Sequence, residues 1–191
     1  MSSGRGRPRS AAVDAAVARA VLAALSERGY RAMTVDGIAQ SAGVAKSAIY
    51  RRWPSKAEMV FALVIHGSDI SAPEDRGNLR EDVTAMVERI VELLAAPAVR
   101  GALPEILADL RSDPTVAERF RVSMIEPERA LIATVVDRAR ARGEVRDDVD
   151  VLDVHAHVLG MVFAWIYLID DRSTSELTAR TIRSVISHLE R

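Results

Sequence analysis

Hydroxyl groups, a tyrosine and several cations lie close together in residues 34–56 of this 191-residue chain, TVDGIAQSAGVAKSAIYRRWPSK. Lysine and arginine bind phosphate oxygens through charge, and hydroxyl groups bind them through hydrogen bonds. Small side chains such as Ser47 and Ala48 allow a backbone to approach base edges closely, and a methyl group can contact thymine. The chemistry that these residue types indicate is recognition of a nucleic acid.

Two short helices must position these groups. Thr34 can cap the first helix, and Gly43 can end it because glycine easily takes a positive φ. The apolar face of this helix has spacings of three and four and comprises Val35, Ile38, Ala39 and Ala42. The second helix covers about residues 45–52. Two small helices joined by a tight turn containing glycine predict a helix-turn-helix, whose second helix enters the DNA major groove.

Individual roles follow from position in this motif. Tyr50 lies near the end of the second helix, where its hydroxyl can bond a phosphate; the alternative is a ring packed in the core. Lys56 follows a helix start at Ser55, so its ammonium group and the helix N-terminus can share one phosphate. A single cation taken alone would be a solvated surface charge, and packing is the alternative role for Ala48. The predicted DNA contacts are Thr34, Lys46, Ser47, Ala48, Tyr50, Arg51, Arg52 and Lys56.

Charge is distributed unevenly along the chain. The net charge is −1, from 26 basic and 27 acidic residues. Residues 1–67 hold 10 basic and four acidic residues, which gives +6, so the remainder carries −7. A basic first third on an acidic remainder is typical of a DNA-binding head attached to a body that does not bind DNA.

Several classes of protein are disfavoured. The chain has no cysteine, which excludes disulfides and thiolate chemistry. The N-terminus has no apolar signal-peptide region, and the apolar run Val158–Ile169 is too short to span a bilayer, so a cytoplasmic location is expected. No phosphate-binding glycine loop, serine-hydrolase motif or zinc-binding His-Glu-x-x-His motif is present, so neither an enzyme nor a cofactor is expected. His155 and His157 lie two apart on a helix and face different sides, so no metal site is expected.

The pattern of caps and apolar spacings predicts an all-α fold of about nine helices. A flexible basic arm over 1–9 either remains a disordered tail or tracks phosphates and the minor groove. Ser10 is the expected cap of the first helix, with Asp14 complementing its dipole, and a helix-turn-helix domain covers 10–67. A larger helical domain covers 78–191, in which Pro127 is expected to kink or split a long helix that Asp113 and Pro114 begin.

Residues 29–59 resemble the TetR family of bacterial transcriptional regulators. The matching residues keep the family's spacing without a gap and comprise Gly29-Tyr30, Thr34-Val35, Ile38-Ala39, Ala42-Gly43-Val44, Lys46, Ile49-Tyr50, Trp53-Pro54-Ser55-Lys56 and Met59. Arg52 stands where the family often has histidine, and Ala45 where serine or threonine is frequent. The rest of the chain matches only in length and helical pattern.

The resemblance implies a homodimer whose two heads read a palindromic operator on double-stranded DNA. It also implies a C-terminal body that binds a small-molecule effector and dimerises through its last two helices. The interface residues that the resemblance implies on these helices are Val151, Val158, Leu177, Ile182, Val185, Ile186 and Leu189, although their apolar stripe alone would suit burial within one chain. The candidate pocket residues, for which ordinary core packing is the alternative, are Met86, Leu94, Leu107, Phe120, Met124, His155, Phe163, Trp165 and Tyr167.

The leading interpretation is a sequence-specific regulator, a repressor that an effector releases from its operator. Two alternatives remain: a ligand-independent or architectural DNA-binding protein, and an enzyme body carrying an accessory DNA-binding head. Architectural binding would show little preference for one sequence over random DNA.

Overall fold

A computed structural model describes residues 7–65, 73–169 and 173–190, with side chains from residue 11 onward. The fold is all-α over this part of the chain, apart from one isolated bridge between Val145 and Glu190. Ten α-helices are present there: α1 Arg7–Ala32, α2 Val35–Ala42, α3 Lys46–Tyr50, α4 Lys56–Val60, α5 Leu79–Ala95, α6 Pro97–Ser112, α7 Pro114–Phe120, α8 Glu126–Ala141, α9 Val151–Ala164 and α10 Thr174–Leu189. If α7 and α8 are counted as one interrupted helix, this part of the chain has the nine helices that the sequence predicts.

Helix α1 begins earlier than the sequence indicates. Its backbone is helical from Arg7, so Ser10 does not cap it and residues 7–9, which were predicted to belong to the flexible arm, are part of α1. Residues 1–6, the rest of the predicted arm, lie outside the described part. At the other end Gly29 has φ 73°, which breaks the helix before Tyr30.

The helices form two compact units. One unit combines α1–α4 with α6 and α7, up to Met124, and its fully buried side chains include Val17, Val21, Ile38 and Ile49. The other combines α5 with α8–α10. The larger domain predicted from residue 78 is thus distributed over both units.

In the second unit, a network around one arginine fastens the segment before α5. Arg142, at the end of α8, pairs with buried Asp82 at 2.7 Å, with Asp75 at 3.0 Å and with Glu144 at 3.2 Å. Asn78 caps α5 by accepting a hydrogen bond from the Glu81 N–H. Because Asp82 is almost fully buried, the guanidinium supplies the charge compensation that its carboxylate needs.

The proline expected to interrupt the long helix does so. A π-helical turn over Arg121–Ile125 separates α7 from α8, and Pro127 occupies the first turn of α8. Proline has no N–H to donate and its ring displaces the carbonyl four residues earlier, so the regular α-helical hydrogen bonds cannot continue. Pro104, in contrast, lies inside the continuous helix α6.

Helix α9 and the π-helical turn that follows it form an apolar run longer than the sequence indicates. Val151–Ile169 has 19 residues and a mean hydropathy of 1.6, enough by length and composition to cross a membrane. A single helix of this kind is weak evidence for a membrane span, because the core helix of a soluble protein passes the same test.

Candidate nucleic-acid interface

Helix α2 forms as its sequence predicts. The hydroxyl of Thr34 accepts a hydrogen bond from the Gly37 N–H at 3.1 Å, which satisfies one of the free donors at the helix N-terminus. Gly43 ends the helix with φ 66° in the left-handed region. The buried side chains Val35, Ile38 and Ala39 attach the helix to the core.

Helix α3, the predicted reading helix, has only five residues, Lys46–Tyr50, instead of the eight expected. Ile49 is its buried anchor. Lys46, Ser47, Tyr50 and Arg51 are exposed, and Ala48 is half-buried. The exposed face therefore presents two cations, a hydroxyl and a phenol on one side of a short helix, which suits binding to phosphates and base edges.

The turn after α3 ends at Ser55, which caps α4. Ser55 accepts from the Glu58 N–H at 3.1 Å and its hydroxyl donates to the Glu58 carboxylate at 3.2 Å. Glu58 is buried, and Arg119 on α7 lies 3.4 Å from the same carboxylate oxygen. This ion pair between residues 61 positions apart has no local sequence signal, and sequence reasoning missed it.

Lys46 is held by an acid on the neighbouring helix. Its ammonium lies 2.8 Å from the carboxylate of Asp36 at the start of α2, and 5.8 Å from the centre of the Tyr50 ring. The hydrogen bond to Asp36 raises the pKa of Lys46, so the side chain is a cation at neutral pH. Both partners are exposed, so the lysine can exchange the carboxylate for a phosphate.

The expectation that Arg52 faces outward is wrong. Its side chain is half-buried, with Nε 2.8 Å from Asp14 on α1 and Nη1 donating to the Ala48 carbonyl at 3.3 Å. Arg52 lies after the last residue of α3, in a turn that directs its side chain back toward α1. Asp14 therefore does not complement the α1 dipole as expected, because the helix starts about two turns earlier.

Lys56 is also engaged within the unit. Its ammonium donates to the Tyr30 carbonyl at 3.2 Å and lies 4.0 Å from the centre of the Tyr30 ring. The Tyr30 hydroxyl in turn donates to Asp109 on α6 at 2.7 Å, and burial together with this carboxylate raises the pKa of Tyr30 far above its usual range. Lys56 remains half-buried at the start of α4.

The predicted effector residues are divided between the two units. Leu107, Phe120 and Met124 belong to the first unit, and the others belong to the second. Leu107 is exposed rather than inward, and Phe120 packs edge-on against Phe61 with ring centres 4.6 Å apart. An open groove of about 550 Å³ on the second unit contains none of the predicted pocket residues; it is lined by Glu126, Arg129, Ala130, Ala133, Asp150, Val151 and Leu152.

Within the second unit, the remaining candidates are core or partly covered residues. Met86, Leu94 and His155 are buried. The rings of Phe163 and Tyr167 are tilted against each other with centres 4.6 Å apart, and the Arg180 guanidinium lies 5.4 Å from the centre of the Trp165 ring. The described residues contain no group of three or more potential metal ligands.

The predicted interface residues need correction. Val158, Leu177, Val185, Ile186 and Leu189 are buried inside a single chain, so they cannot also meet a second copy. The alternative for such a stripe, burial within one chain, therefore holds for these five. Only Val151 and Ile182 are partly exposed.

The outward face of α9 carries a second apolar stripe. Leu152 is 52% exposed and starts a row that recurs at helical spacing. The other members are exposed or half-exposed: Ala156, Leu159, Gly160, Phe163 and Tyr167. A Cβ atom added at Gly160 would meet nothing within 4 Å, so the surface above this residue is open in the single chain.

The short helix pair, its capped turn and the exposed polar face of α3 define a helix-turn-helix DNA-binding protein. The chain belongs to the tetR family of bacterial regulatory proteins, whose N-terminal domain matches residues 17–63. The tetracyclin repressor-like C-terminal domain matches residues 73–185.

Individual relatives agree with this family. A DNA-binding transcriptional repressor TetR of Mycobacteroides abscessus is 33% identical over 79% of this chain and 78% of that protein. An uncharacterised HTH-type transcriptional regulator of Mycobacterium tuberculosis is 34% identical over 63% of this chain, which spans 59% of that relative's length. A solved TetR family transcription regulator is 26% identical with a TM-score of 0.73, over 92% of this chain and 97% of that one.

Proposed function

We propose that this chain is a sequence-specific transcriptional regulator, a repressor that leaves its operator when a small molecule binds. The observation that carries the proposal is the exposed face of α3, with Lys46, Ser47, Tyr50 and Arg51 on a helix-turn-helix. Membership of the tetR family and 33% identity to a named DNA-binding transcriptional repressor support it. A cytoplasmic location belongs to the same proposal.

The proposal divides the chain into a reading domain over 10–67 and an effector-binding and dimerisation domain over 78–191. Two copies then present two α3 helices to successive major grooves of a palindromic operator. The dimer contact is assigned to the outward stripe of α9 that begins at Leu152, because Leu152, Ala156 and Gly160 are exposed in the single chain.

Selection of bound DNA from a random pool tests sequence-specific binding. We expect enrichment of a palindrome and an affinity for it at least about 1,000-fold above random DNA at physiological salt. Equal affinity for the selected and random sequences would instead identify architectural binding.

The exposed cations should act through phosphate. Lys46→Ala and Arg51→Ala should each reduce the slope of log K against log salt concentration by about one, because each substitution removes one cation that neutralises a phosphate. Arg111→Ala, at an exposed position in the last turn of α6, is the matched control and should leave the slope unchanged. Unchanged slopes for both test variants would remove α3 from the interface.

Effector binding can be followed through the tryptophans, because each unit has one. Trp53 lies in the first unit and Trp165 in the second. In a Trp53→Phe variant, a small molecule that binds near α9 and releases DNA should change Trp165 fluorescence over the same concentration range. If no compound in a broad metabolite library releases the DNA, effector control is contradicted.

A further inference from the structure

The reading helix is too short to hold its own position. A helix of five residues makes hardly more than one turn of hydrogen bonds, and isolated helices of that length are unstable in water. Its N-cap residue, Ala45, provides no side-chain hydrogen bond. The orientation of α3 must therefore come from contacts with other elements, of which buried Ile49 is the apolar part.

At the C-terminal end, the contact is the ion pair between Arg52 and Asp14. The two residues are 38 positions apart, with Nε and Oδ1 separated by 2.8 Å. The side chains retain 23% and 40% exposure. The Oδ1 atom itself is shielded from solvent and has no aligned hydrogen-bond donor among the described residues, so its contact with Arg52 is one of charge. Arg52 also donates to the Ala48 carbonyl, so one guanidinium connects α1 to the last turn of α3.

At the N-terminal end, the contact has a different character. The side chains of Lys46 and Asp36 are 50% and 72% exposed, so both groups are open to water. Exposed pairs of this kind contribute little to stability, and a phosphate can replace the carboxylate as the partner of the lysine. The two ends of α3 thus have one partly shielded pair and one pair that is open to water.

We propose that Asp14 is a positioning residue for DNA recognition, which fixes the C-terminal end of the reading helix through Arg52. Arg52 is then a structural brace instead of a phosphate contact. Asp36, in contrast, holds Lys46 only until DNA takes its place. The inference rests on the proposed DNA-binding function and assigns a role within that same site.

The proposal predicts that neutralising Asp14 and neutralising Asp36 have opposite effects on operator affinity. Removing a carboxylate near a polyanion ordinarily strengthens binding, because repulsion is removed with it. Asp36→Asn should follow this rule and bind the operator as tightly as the natural protein or more tightly. Asp14→Asn should break it, because removal of the brace misplaces Ser47, Tyr50 and Arg51.

Operator affinity measured by fluorescence anisotropy at fixed salt separates these outcomes. Asp14→Asn should bind about fivefold more weakly, the factor that about 1 kcal/mol makes in an equilibrium constant. Glu27→Gln, an equal charge change at an exposed position of α1, is the control and should not weaken binding. Asp14→Asn binding as tightly as Glu27→Gln would overturn the proposal.

A double-mutant cycle and the salt slope test the brace itself. Arg52→Gln also removes the hydrogen bond to the Ala48 carbonyl, so it should lose at least as much affinity as Asp14→Asn. The double variant should lose no more than Arg52→Gln alone, because the ion pair is already absent there. Arg52→Gln should leave the salt slope unchanged. A slope lowered by about one would make Arg52 a phosphate contact and overturn its assignment as a brace.

Hydrogen exchange in the free protein distinguishes failure of the brace from failure of the DNA-binding function. The amides of Arg52 and Trp53 both donate to the Ile49 carbonyl at 2.9 Å. Asp14→Asn should speed exchange of these amides at least severalfold, and Glu27→Gln should not. Unchanged exchange would overturn the brace even if operator binding is confirmed, and faster exchange would support it even if no operator is found.

Discussion

Tyr30 uses its ring, its hydroxyl and its carbonyl to join three helices of the first unit. The hydroxyl donates to Asp109 on α6, and the ring and carbonyl contact Lys56 on α4. The neighbouring Gly29 gives the chain the left-handed turn that directs Tyr30 inward. A residue in the predicted Gly-aromatic pair is therefore a junction of the unit and not only an apolar anchor.

The two tyrosines of this unit should respond differently to removal of the hydroxyl. Tyr30→Phe removes a partly buried hydrogen bond and should lower the free energy of unfolding by about 1 kcal/mol. Tyr50→Phe removes an exposed hydroxyl and should leave unfolding unchanged while weakening operator binding. Urea denaturation and anisotropy on both variants check the two effects, and a loss of stability in Tyr50→Phe would place its hydroxyl in the fold instead of the interface.

The Glu58–Arg119 pair should contribute more to stability than its exposed partner suggests. Arg119→Ala leaves the buried Glu58 carboxylate without its cation, and we expect a decrease of about 1–3 kcal/mol in the free energy of unfolding. Glu58→Gln on the same background should restore part of that decrease, because the amide is neutral. If Arg119→Ala and the double variant with Glu58→Gln have the same urea midpoint, Arg119 does not compensate the charge of Glu58.

Histidines in the second unit predict a loss of stability in acid. Burial lowers the pKa of His155, and burial together with His188 lowers the pKa of His157. The unfolded chain therefore takes up protons first as the pH falls below about 6.5, so the free energy of unfolding decreases below that pH and is fully retained above it. His155→Gln should make the urea midpoint less dependent on pH between pH 7.5 and 5.5. If the midpoint of the variant changes with pH as much as that of the natural protein, other groups cause the effect.

At the scale of elements, four helix N-caps were predicted correctly because their signals are local, whereas the start of α1 and the length of α3 were not. The side-chain caps at Thr34, Ser55, Asn78 and Asp113 all form as the sequence indicates. Each depends on a hydroxyl, amide or carboxylate oxygen within three residues of the N–H that it accepts. Partners 38 to 79 positions apart, such as Asp14–Arg52, Glu58–Arg119 and Tyr30–Asp109, have no such signal.

The sequence showed that a helix has an apolar face more readily than it showed whether that face packs into the core. Helix α9 has apolar residues on both its inner and outer sides, so periodicity alone did not separate the core residue Val158 from the uncovered Leu152. Leu107 shows the same difficulty on α6, where the predicted inward residue is exposed. Which of two apolar faces packs inward depends on tertiary neighbours.

A substitution on the outward stripe of α9 should produce a folded monomer. Gly160→Arg places a long cation in open space over this stripe, so it should block association while the single chain folds normally. Gly101→Arg is the matched control, since a side chain there also meets nothing within 4 Å. Light scattering should show monomers for the first variant and dimers for the second.

If the Gly160→Arg variant still forms dimers, this stripe is not part of the dimer contact. Charged substitution at buried Val185 is a different test, because it should unfold the second unit instead of only separating two folded copies. Circular dichroism distinguishes the two cases, since helical signal is retained only when folded monomers form.

At the scale of the whole molecule, the distribution of charge along the chain predicted DNA binding better than the net charge did. A chain with net charge −1 binds DNA in this interpretation because its first 67 residues carry +6. The class of protein was therefore predictable from the head alone. The effector pocket was not, because a ligand-binding surface has no fixed residue spacing and the candidate residues fall in both units.

The chain's only two lysines, Lys46 and Lys56, both lie in the motif. Apart from the terminal amine, every primary amine is thus within or beside the proposed DNA surface. Acylating reagents followed by mass spectrometry would therefore report DNA occupancy at two defined sites, with exposed Lys46 reacting before half-buried Lys56. For the same reason, amine coupling to a sensor surface would obstruct the reading face, and this protein is better immobilised through its C-terminus.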